Sequence, residues 1–376
     1  MRIASGLRGS RRGCVMRETT FLALRGKCLA PKRDMATAAT PSRPSDSKLH
    51  GRRILVCLDR SAFSEVCVPY AVSFAKAFGS DITLLHVMQP HQEQSGPQPH
   101  DALSWEISRQ EAQGYLEKFG KEASQALGHP VSVRLEQGHP AERIVDLAHE
   151  IGADLTVLGS HGEGGITPWT LGSTVQQVLA IAHNSVLIAP SSSTGSIAVT
   201  PRRILVPLDG SLRSESVLPA ATHLASAHDA DILLVHVVQE PLPTPLLHAA
   251  EGVELAQKLA VRVELAAKRY LQHLQERLAH QGTSVHTLVV RHANERQCLL
   301  DIARKEQTDL IILSAHGAAC DSARSFGSVT TFLLTHSIVP LLVIQDLPEG
   351  DLHRAQDIDA KLESPHLRAS YASESV

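Results

Sequence analysis

Short, unbroken runs of apolar residues alternate along this chain with longer segments in which apolar residues recur at helical spacing. Such unbroken runs are typical of strands that are covered on both faces, as in a parallel sheet. Apolar residues at i, i+3, i+4 and i+7 predict amphipathic helices. In the first half of the chain, strands are predicted near 53–58, 81–87, 131–136, 154–158 and 185–189. Helices are predicted near 64–78, 104–127, 140–151 and 173–183.

This order of elements occurs twice. The segment Arg-Arg-Ile-Leu-Val-Cys-Leu-Asp at 52–59 recurs as Arg-Arg-Ile-Leu-Val-Pro-Leu-Asp at 202–209, and the strand at 81–87 has a close counterpart at 231–237. Each copy is about 140 residues long, an ordinary size for one domain. The sequence therefore predicts an α/β protein with two tandem domains, each a five-stranded parallel sheet with helices on both faces.

The segments outside the repeats differ from them in composition. The N-terminal segment is basic, and we expect it to be disordered, to act as a transit peptide, or to precede a true translation start at Met35. A linker rich in Ser and Thr joins the two domains, and a charged tail without an apolar period is expected to be disordered. The predicted segments are 1–50 (N-terminal segment), 51–190 (first domain), 191–200 (linker), 201–346 (second domain) and 347–376 (tail).

Composition narrows the choice of partners. The 376 residues carry a formal net charge of −3, with only 3% aromatic residues. Near-neutral charge and few aromatic residues give no case for nucleic-acid binding, and no apolar run approaches the ~18 residues of a membrane helix. The six cysteines form no C-x-x-C pair and no zinc-like spacing. We therefore expect a cytoplasmic protein with reduced thiols that binds neither nucleic acid nor membrane.

A glycine-rich loop between a predicted strand and a predicted helix is the strongest candidate site. Gly159 and Gly162 are followed, after nine residues, by Gly172 and Ser173. In such a loop, backbone N–H groups and a helix N-terminus converge on an anion. Glycines are expected because phosphate oxygens approach the backbone closely and because such loops use positive φ angles. Ser173 is expected to be the N-cap of the helix.

The second copy repeats the loop with one change. Ser314 stands in place of the first glycine, and Gly317, Gly327 and Ser328 keep the spacing. In sheets of this kind, ligands bind beyond the carboxyl ends of the strands, where the strand order switches. Further candidates lie at the ends of earlier strands in the two copies: Asp59, Val87, Asp209 and Val237.

The motif Gly-x2-Gly-x9-Gly-Ser at 159–173, together with Asp59, resembles the ATP-binding branch of the universal stress protein family. The resemblance covers about 51–190 and 201–346. It implies a Rossmann-like fold in each domain, ATP binding and a role in stress responses. It also implies that Asp59 lies at the ribose or a metal and that Val87 meets adenine through its backbone.

The same resemblance assigns the loop residues. Gly159 and Gly162 would contact the ribose and the α-phosphate, and Gly172, Ser173 and Thr174 the β- and γ-phosphates. The matching residues of the second copy are Asp209, Val237, Gly317, Gly327 and Ser328. Because Ser314 departs from the motif, we expect the two sites to be unequal, with the first binding ATP more strongly.

Mg²⁺ or Mn²⁺ is expected to accompany ATP, because the loops carry no lysine like that of a Walker motif. The first functional hypothesis is an ATP-binding regulator of stress responses, without dedicated catalysis. The alternatives are a slow ATP hydrolase of the adenine-nucleotide α-hydrolase group and a nucleotide-free protein-interaction module. Against dedicated catalysis, the chain lacks the Ser-Gly-Gly-x-Asp-Ser, His-x-Gly-His and Walker motifs.

The last strand of each copy is a predicted sheet edge. The apolar segments 185–189 and 340–344 end their domains, and bare apolar edges pair readily with another strand. The short linker raises the effective concentration of one copy for the other. We therefore expect an intrachain pseudo-twofold pair with antiparallel last strands. A homodimer of whole chains and an unidentified protein partner are left open.

Overall fold

The computed structural model describes residues 53–89, 102–160, 171–190, 199–240, 250–318 and 325–345. The predictions for 1–50 and 347–376, and for most of the linker at 191–200, lie outside the described residues. Within them, no helix is both long enough and apolar enough to cross a membrane.

The first copy contains five strands and five helices in the described residues. The strands are β1 (Arg53–Cys57), β2 (Asp81–Met88), β3 (Ser132–Gln137), β4 (Leu155–Gly159) and β5 (Ser185–Ala189). The helices are α1 (Ala62–Glu65), α2 (Cys67–Phe78), α3 (Ala102–Leu127), α4 (Pro140–Glu150) and α5 (Ser173–Ile181). The single helix predicted near 64–78 is in fact two, because α1 ends before Val66 and α2 begins after it.

The second copy repeats this order. Its strands are β6 (Arg203–Pro207), β7 (Asp231–Gln239), β8 (Val285–His292), β9 (Leu310–Ser314) and β10 (Leu341–Ile344). Its helices are α6 (Leu212–Glu215), α7 (Leu218–His228), α8 (Ala250–Ala279), α9 (Glu295–Lys305) and α10 (Ser328–His336). Helix α8 has 30 residues where α3 has 26, which accounts for most of the extra length of the second copy.

Local sequence fixes the first helices of both copies in the same way. The hydroxyls of Ser61 and Ser211 accept from the backbone N–H three residues later and so cap α1 and α6. At the C-terminus of α2, Gly79 is the C-cap and adopts the left-handed conformation, with φ 66°. Asp229 takes the same conformation after α7, at φ 53°.

All ten strands belong to one sheet in the order β3-β2-β1-β4-β5-β10-β9-β6-β7-β8. Strands within each copy are parallel, and their order is that of a Rossmann-like half. The copies meet where β10 pairs antiparallel with β5, with Leu342 opposite Leu187. The predicted fold and the predicted antiparallel pairing of the last strands are both confirmed.

The hydrophobic core extends across this joint on both faces of the sheet. On one face, a cluster of buried residues joins α2 and α3 of the first copy to α7 and α8 of the second. On the other, a second cluster joins α4 and α5 to α9 and α10. The two copies are therefore packed as one body around a shared sheet.

Polar contacts reinforce the joint. The His223 ring stacks on Phe78 with centroids 4.8 Å apart, and its Nε2–H donates to the Ala77 carbonyl oxygen over 2.8 Å. On the opposite face, the Ser325 hydroxyl donates to the Ala180 carbonyl oxygen over 2.8 Å. The first contact joins α2 to α7 and the second joins α5 to the segment before α10, so each links the two copies.

The substitution Leu342→Pro is expected to separate the two copies. Leu342 is fully buried in β10 between β5 and β9. Proline removes a ladder N–H from this central strand and leaves a buried carbonyl unpaired, at a cost of about 1–3 kcal/mol. Small-angle scattering of the intact chain should change from a compact to a two-lobed profile, with circular dichroism reporting retained structure. Ile338→Pro, at an exposed position before β10, is the control. A compact profile for a folded Leu342→Pro chain would contradict the role given to this joint.

Candidate functional site

The predicted residues of the first copy converge at the carboxyl ends of β1, β2 and β4. Asp59 follows β1, Val87 lies at the end of β2 and Gly159 ends β4. The Gly172 N–H donates to the Ser160 carbonyl oxygen over 3.0 Å, which brings the start of α5 beside the end of β4. Strands β1 and β4 are neighbours at the switch in strand order, where ligands bind in folds of this kind.

Helix α5 begins differently from the prediction. Gly172, with φ −58° and ψ 149°, is the N-cap, and Ser173 is the first helical residue. The expectation that Ser173 caps the helix is therefore wrong, and so is that of positive φ at Gly172, because an N-cap residue adopts an extended conformation. Ser173 and Thr174 lie in the first turn, where backbone N–H groups have no partner within the helix. Gly162 lies outside the described residues.

The two aspartates are held in place by the serines that follow them. Asp59 Oδ1 accepts from the Ser61 N–H over 2.9 Å and from the Ser61 hydroxyl over 2.5 Å. Asp209 Oδ1 accepts from the Ser211 N–H and hydroxyl over 2.9 and 2.6 Å. Each carboxylate is thus positioned at the end of its strand, beside the crevice of its own copy.

A histidine at the end of the second strand supports each aspartate. His86 Nδ1 donates to the Leu58 carbonyl oxygen over 2.7 Å, and His236 Nδ1 donates to that of Leu208 over 2.8 Å. Burial lowers the pKa of His86, although the Leu58 carbonyl favours the charged ring. These histidines tie two strand ends together immediately before the aspartates. The two histidines occur at matching positions of the two copies, and this repetition is the sequence signal from which their shared role could have been predicted.

The predicted residues of the second copy line one cavity of about 310 Å³. The structure brings together Asp209, Val237, Gly317, Gly327 and Ser328. Further lining residues that were not predicted as ligands include Gln239, Glu295 and Ser314. Contact of any of these residues with ATP stays a prediction.

The second loop is anchored by Asp209. Its Oδ2 accepts from the Ala318 N–H over 2.6 Å. The carboxylate lies so close to Gly317 that a Cβ there would be 2.3 Å from Oδ2. Gly317 is therefore required by the close approach of a side chain, whereas Gly327, at φ −68°, needs no positive φ.

Hydroxyl groups hold the same loop from the other side. The Ser314 hydroxyl donates to the His316 carbonyl oxygen over 2.6 Å, and the Thr330 hydroxyl donates to the Ser314 carbonyl oxygen over 3.0 Å. The first copy has Gly159 and Val175 at these positions and therefore lacks both hydroxyls. The departure at Ser314 thus adds a hydrogen bond within the loop.

The ionisation of Asp209 fits this anchoring role. Burial raises the pKa of its carboxyl group, but hydrogen bonds from Ser211 and from the Ala318 N–H outweigh that effect and lower the pKa below its ordinary value of 3.8. The group is a charged acceptor at neutral pH.

The described residues contain no group of three His, Cys, Asp or Glu side chains that could hold a metal ion. Burial also raises the pKa of the Cys67 thiol, which keeps it protonated.

Both halves of the chain match one family model. The model described as universal stress protein family matches residues 51–190 and again 200–345. The chain belongs to the universal stress protein family. Together the matched segments contain every predicted site residue.

Individual relatives match this chain over both of its copies, as expected for a tandem universal stress protein. A universal stress protein of Mycolicibacterium smegmatis is 27% identical over 296 residues, covering 78% of this chain and 96% of the relative. One from Mycobacterium tuberculosis is 25% identical over 305 residues, with coverages of 78% and 96%. The crystal structure of a universal stress protein from Archaeoglobus fulgidus aligns with a TM-score of 0.57 at 17% identity, covering 80% of this chain and 99% of that one. The last likeness supports the fold alone.

The substitution Gly317→Ala is expected to destabilise the protein by about 1–3 kcal/mol, because the new Cβ overlaps the Asp209 carboxylate. Gly327→Ala is the matched control, since its Cβ would lie 3.4 Å from its nearest neighbour, an ordinary contact. Thermal unfolding of the two variants measures the difference. Equal melting temperatures would contradict the close approach of Asp209 to the loop.

Proposed function

We propose that this universal stress protein binds ATP in the first crevice and acts as a nucleotide-dependent regulator of stress responses. The observation that carries the proposal is the position of the start of α5 beside the ends of β1 and β4. The N-cap is a glycine, so no capping side chain of its own competes for the N–H groups of the first turn. A helix start of this kind stabilises phosphate.

The nucleotide would lie along the carboxyl edge of the sheet. Adenine would meet the backbone of Val87, and Asp59 would face the ribose or a metal ion. Gly159 and Gly162 would contact the ribose and the α-phosphate. The β- and γ-phosphates would be held by Gly172, Ser173 and Thr174. Support comes from the family membership and from the common edge on which the described members of this set lie.

Mg²⁺ or Mn²⁺ would accompany the triphosphate. Asp59, a carboxylate just after β1, fits a hard cation that takes most of its ligands from phosphate and water. The cation would supply charge neutralisation. Asp59 would orient it through its own oxygen or through a bound water.

For regulation, the binding of ATP in the first crevice would have to affect the second copy, and the shared hydrophobic cores offer the route. Both cores cross the β5–β10 joint, and through them a nucleotide bound at the start of α5 would alter the packing of the second copy. We infer that a protein partner in the cytoplasm responds to this difference. Dedicated catalysis is not part of the proposal.

The substitution Gly172→Val is expected to weaken ATP binding by about 10- to 100-fold, because a β-branched side chain would occupy the approach to the α5 N–H groups and remove one or two charge-assisted hydrogen bonds. Calorimetry of the intact chain with ATP and Mg²⁺ measures this. Gly114→Val, on the exposed side of α3, is the control, since a Cβ there meets nothing within 4 Å. Unchanged affinity in Gly172→Val would remove the start of α5 from the site.

Chelation of divalent cations is expected to lower the ATP affinity by at least about tenfold, because several phosphate charges would remain without a counter-ion beside Asp59. ATP titrations in excess chelator and in magnesium make the comparison, with adenosine as the ligand that carries no phosphate. Equal ATP affinity under the two conditions would refute a metal-bound nucleotide.

A further inference from the structure

We infer that the second crevice has the opposite selectivity to the first: it binds a neutral purine nucleoside that carries an amino group, of the adenosine class, in preference to ATP. The inference rests on the proposed function, because it treats the second crevice as a counterpart of the nucleotide site in the first. Three features of the second copy carry it. They are the anchoring of the loop by Asp209, the charge of the cavity, and a polar pair among the residues that line it.

The loop of the second crevice already holds an anion, namely the Asp209 carboxylate. Its Oδ2 accepts from the Ala318 N–H over 2.6 Å, directly after Gly317. A phosphate oxygen that approached this N–H would have to displace the carboxylate. The bonds from Ser314 and Thr330 hold the loop in the conformation that makes this contact.

The charge of the cavity disfavours a polyphosphate. Among the described residues that line it, the ionisable side chains are Asp209 and Glu295, both acidic, and no Lys, Arg or His is present. Like charges within a partly buried cavity repel strongly. A neutral nucleoside avoids this repulsion, and its hydroxyl oxygens can still accept from the N–H groups at the start of α10.

A polar pair, Gln239 with Glu295, also lines the cavity; Gln239 has a counterpart in Gln89 of the first copy, but Glu295 does not. The Gln239 side-chain amide donates to Glu295 Oε2 over 3.0 Å. A carboxylate has about four acceptor positions and Gln239 fills one, so the pair still offers acceptors to an exocyclic amino group. Strand β7 is one residue longer than β2 and pairs Gln239 with His292, which holds Gln239 beside the first residue of α9. At the start of α4 the first copy has Pro140, which carries no acceptor side chain.

The cavity of about 310 Å³ is at the lower end of the range for small-molecule sites, which suits a nucleoside better than a triphosphate. Val237, the predicted adenine contact, lines it together with Gln239 and Glu295. The second crevice therefore keeps the base-and-ribose part of a nucleotide site, while its loop N–H after Gly317 is already bonded to Asp209 and no basic side chain among the described lining residues would offset a phosphate charge.

Hydrogen exchange of the intact chain, followed by mass spectrometry, separates the two crevices. Adenosine is expected to slow exchange at 237–240 and 295–299, and ATP with magnesium is expected to slow it at the start of α5 but not at the start of α10. Equal slowing of α5 and α10 by ATP would overturn the inference and leave the proposed function standing. Slowing at the second crevice by adenosine, with no effect of ATP on α5, would overturn the proposed function alone. No effect of adenosine at 237–240 and 295–299 would overturn the inference.

Two matched aspartate variants test the role of the carboxylate. Asp209→Ala is expected to tighten ATP binding at the second crevice by about tenfold or more, equivalent to about 1.4 kcal/mol, because the loop N–H is released and a negative charge is removed. Asp59→Ala is expected to weaken ATP binding at the first. Loss of ATP binding at both crevices would show that Asp209 is an ordinary nucleotide ligand and would refute the inference.

A variant of the Gln239–Glu295 pair provides an independent test should Asp209→Ala fail to fold. Glu295→Ala is expected to weaken adenosine binding at the second crevice by about tenfold, through loss of the acceptor. Asp301→Ala, on the same helix but outside the cavity, should leave it unchanged. Equal adenosine affinities for these two variants would contradict recognition by the polar pair.

Discussion

The antiparallel pairing of β5 with β10 is the contact on which the rest of the molecule depends. Without it, each copy would expose an apolar edge strand with unpaired backbone groups. The pairing makes one sheet of ten strands and allows both hydrophobic clusters to cross from copy to copy. Because it is antiparallel, the carboxyl ends of the strands of the two copies lie at opposite edges of the sheet. The two crevices therefore do not share residues and are free to diverge.

Much of this architecture was predictable because it depends on short-range patterns. The predicted strands of the first copy agree with the structure to within one or two residues, and the repeat then predicted the second copy. Four of them are apolar runs, whereas β3 (Ser132–Gln137) alternates polar and apolar residues because it lies at the edge of the sheet. The pairing of the last strands followed from a general property of sheet edges. The N-cap of α5 was predicted one residue too late, at Ser173 instead of Gly172. Glycine and serine both occur at N-caps, and only the backbone angles distinguish them.

The site was only partly predictable, because its distinguishing contacts join residues far apart in the chain. The motif gave the positions of Gly317, Gly327 and Ser328 but not the reason for Gly317, which is the approach of Asp209. No local sequence pattern predicts that the Asp209 carboxylate, at the end of one strand, will accept from the backbone N–H of Ala318, more than a hundred residues later. The Gln239–Glu295 pair was missed for the same reason.

Duplication explains how one family motif can serve two purposes in one chain. The first copy has Gly159 and Val175 where the second has Ser314 and Thr330, whose two hydroxyls bond to the backbone of the second loop. Each such bond stabilises the empty loop by about 0.5–1.5 kcal/mol, and a ligand that rearranges the loop must overcome that amount. The described part of the second loop is thus held by two hydrogen bonds for which Gly159 and Val175 offer no side-chain counterpart. Because α5 and α10 pack into the same core, the two loops differ although they lead into helices of one buried cluster.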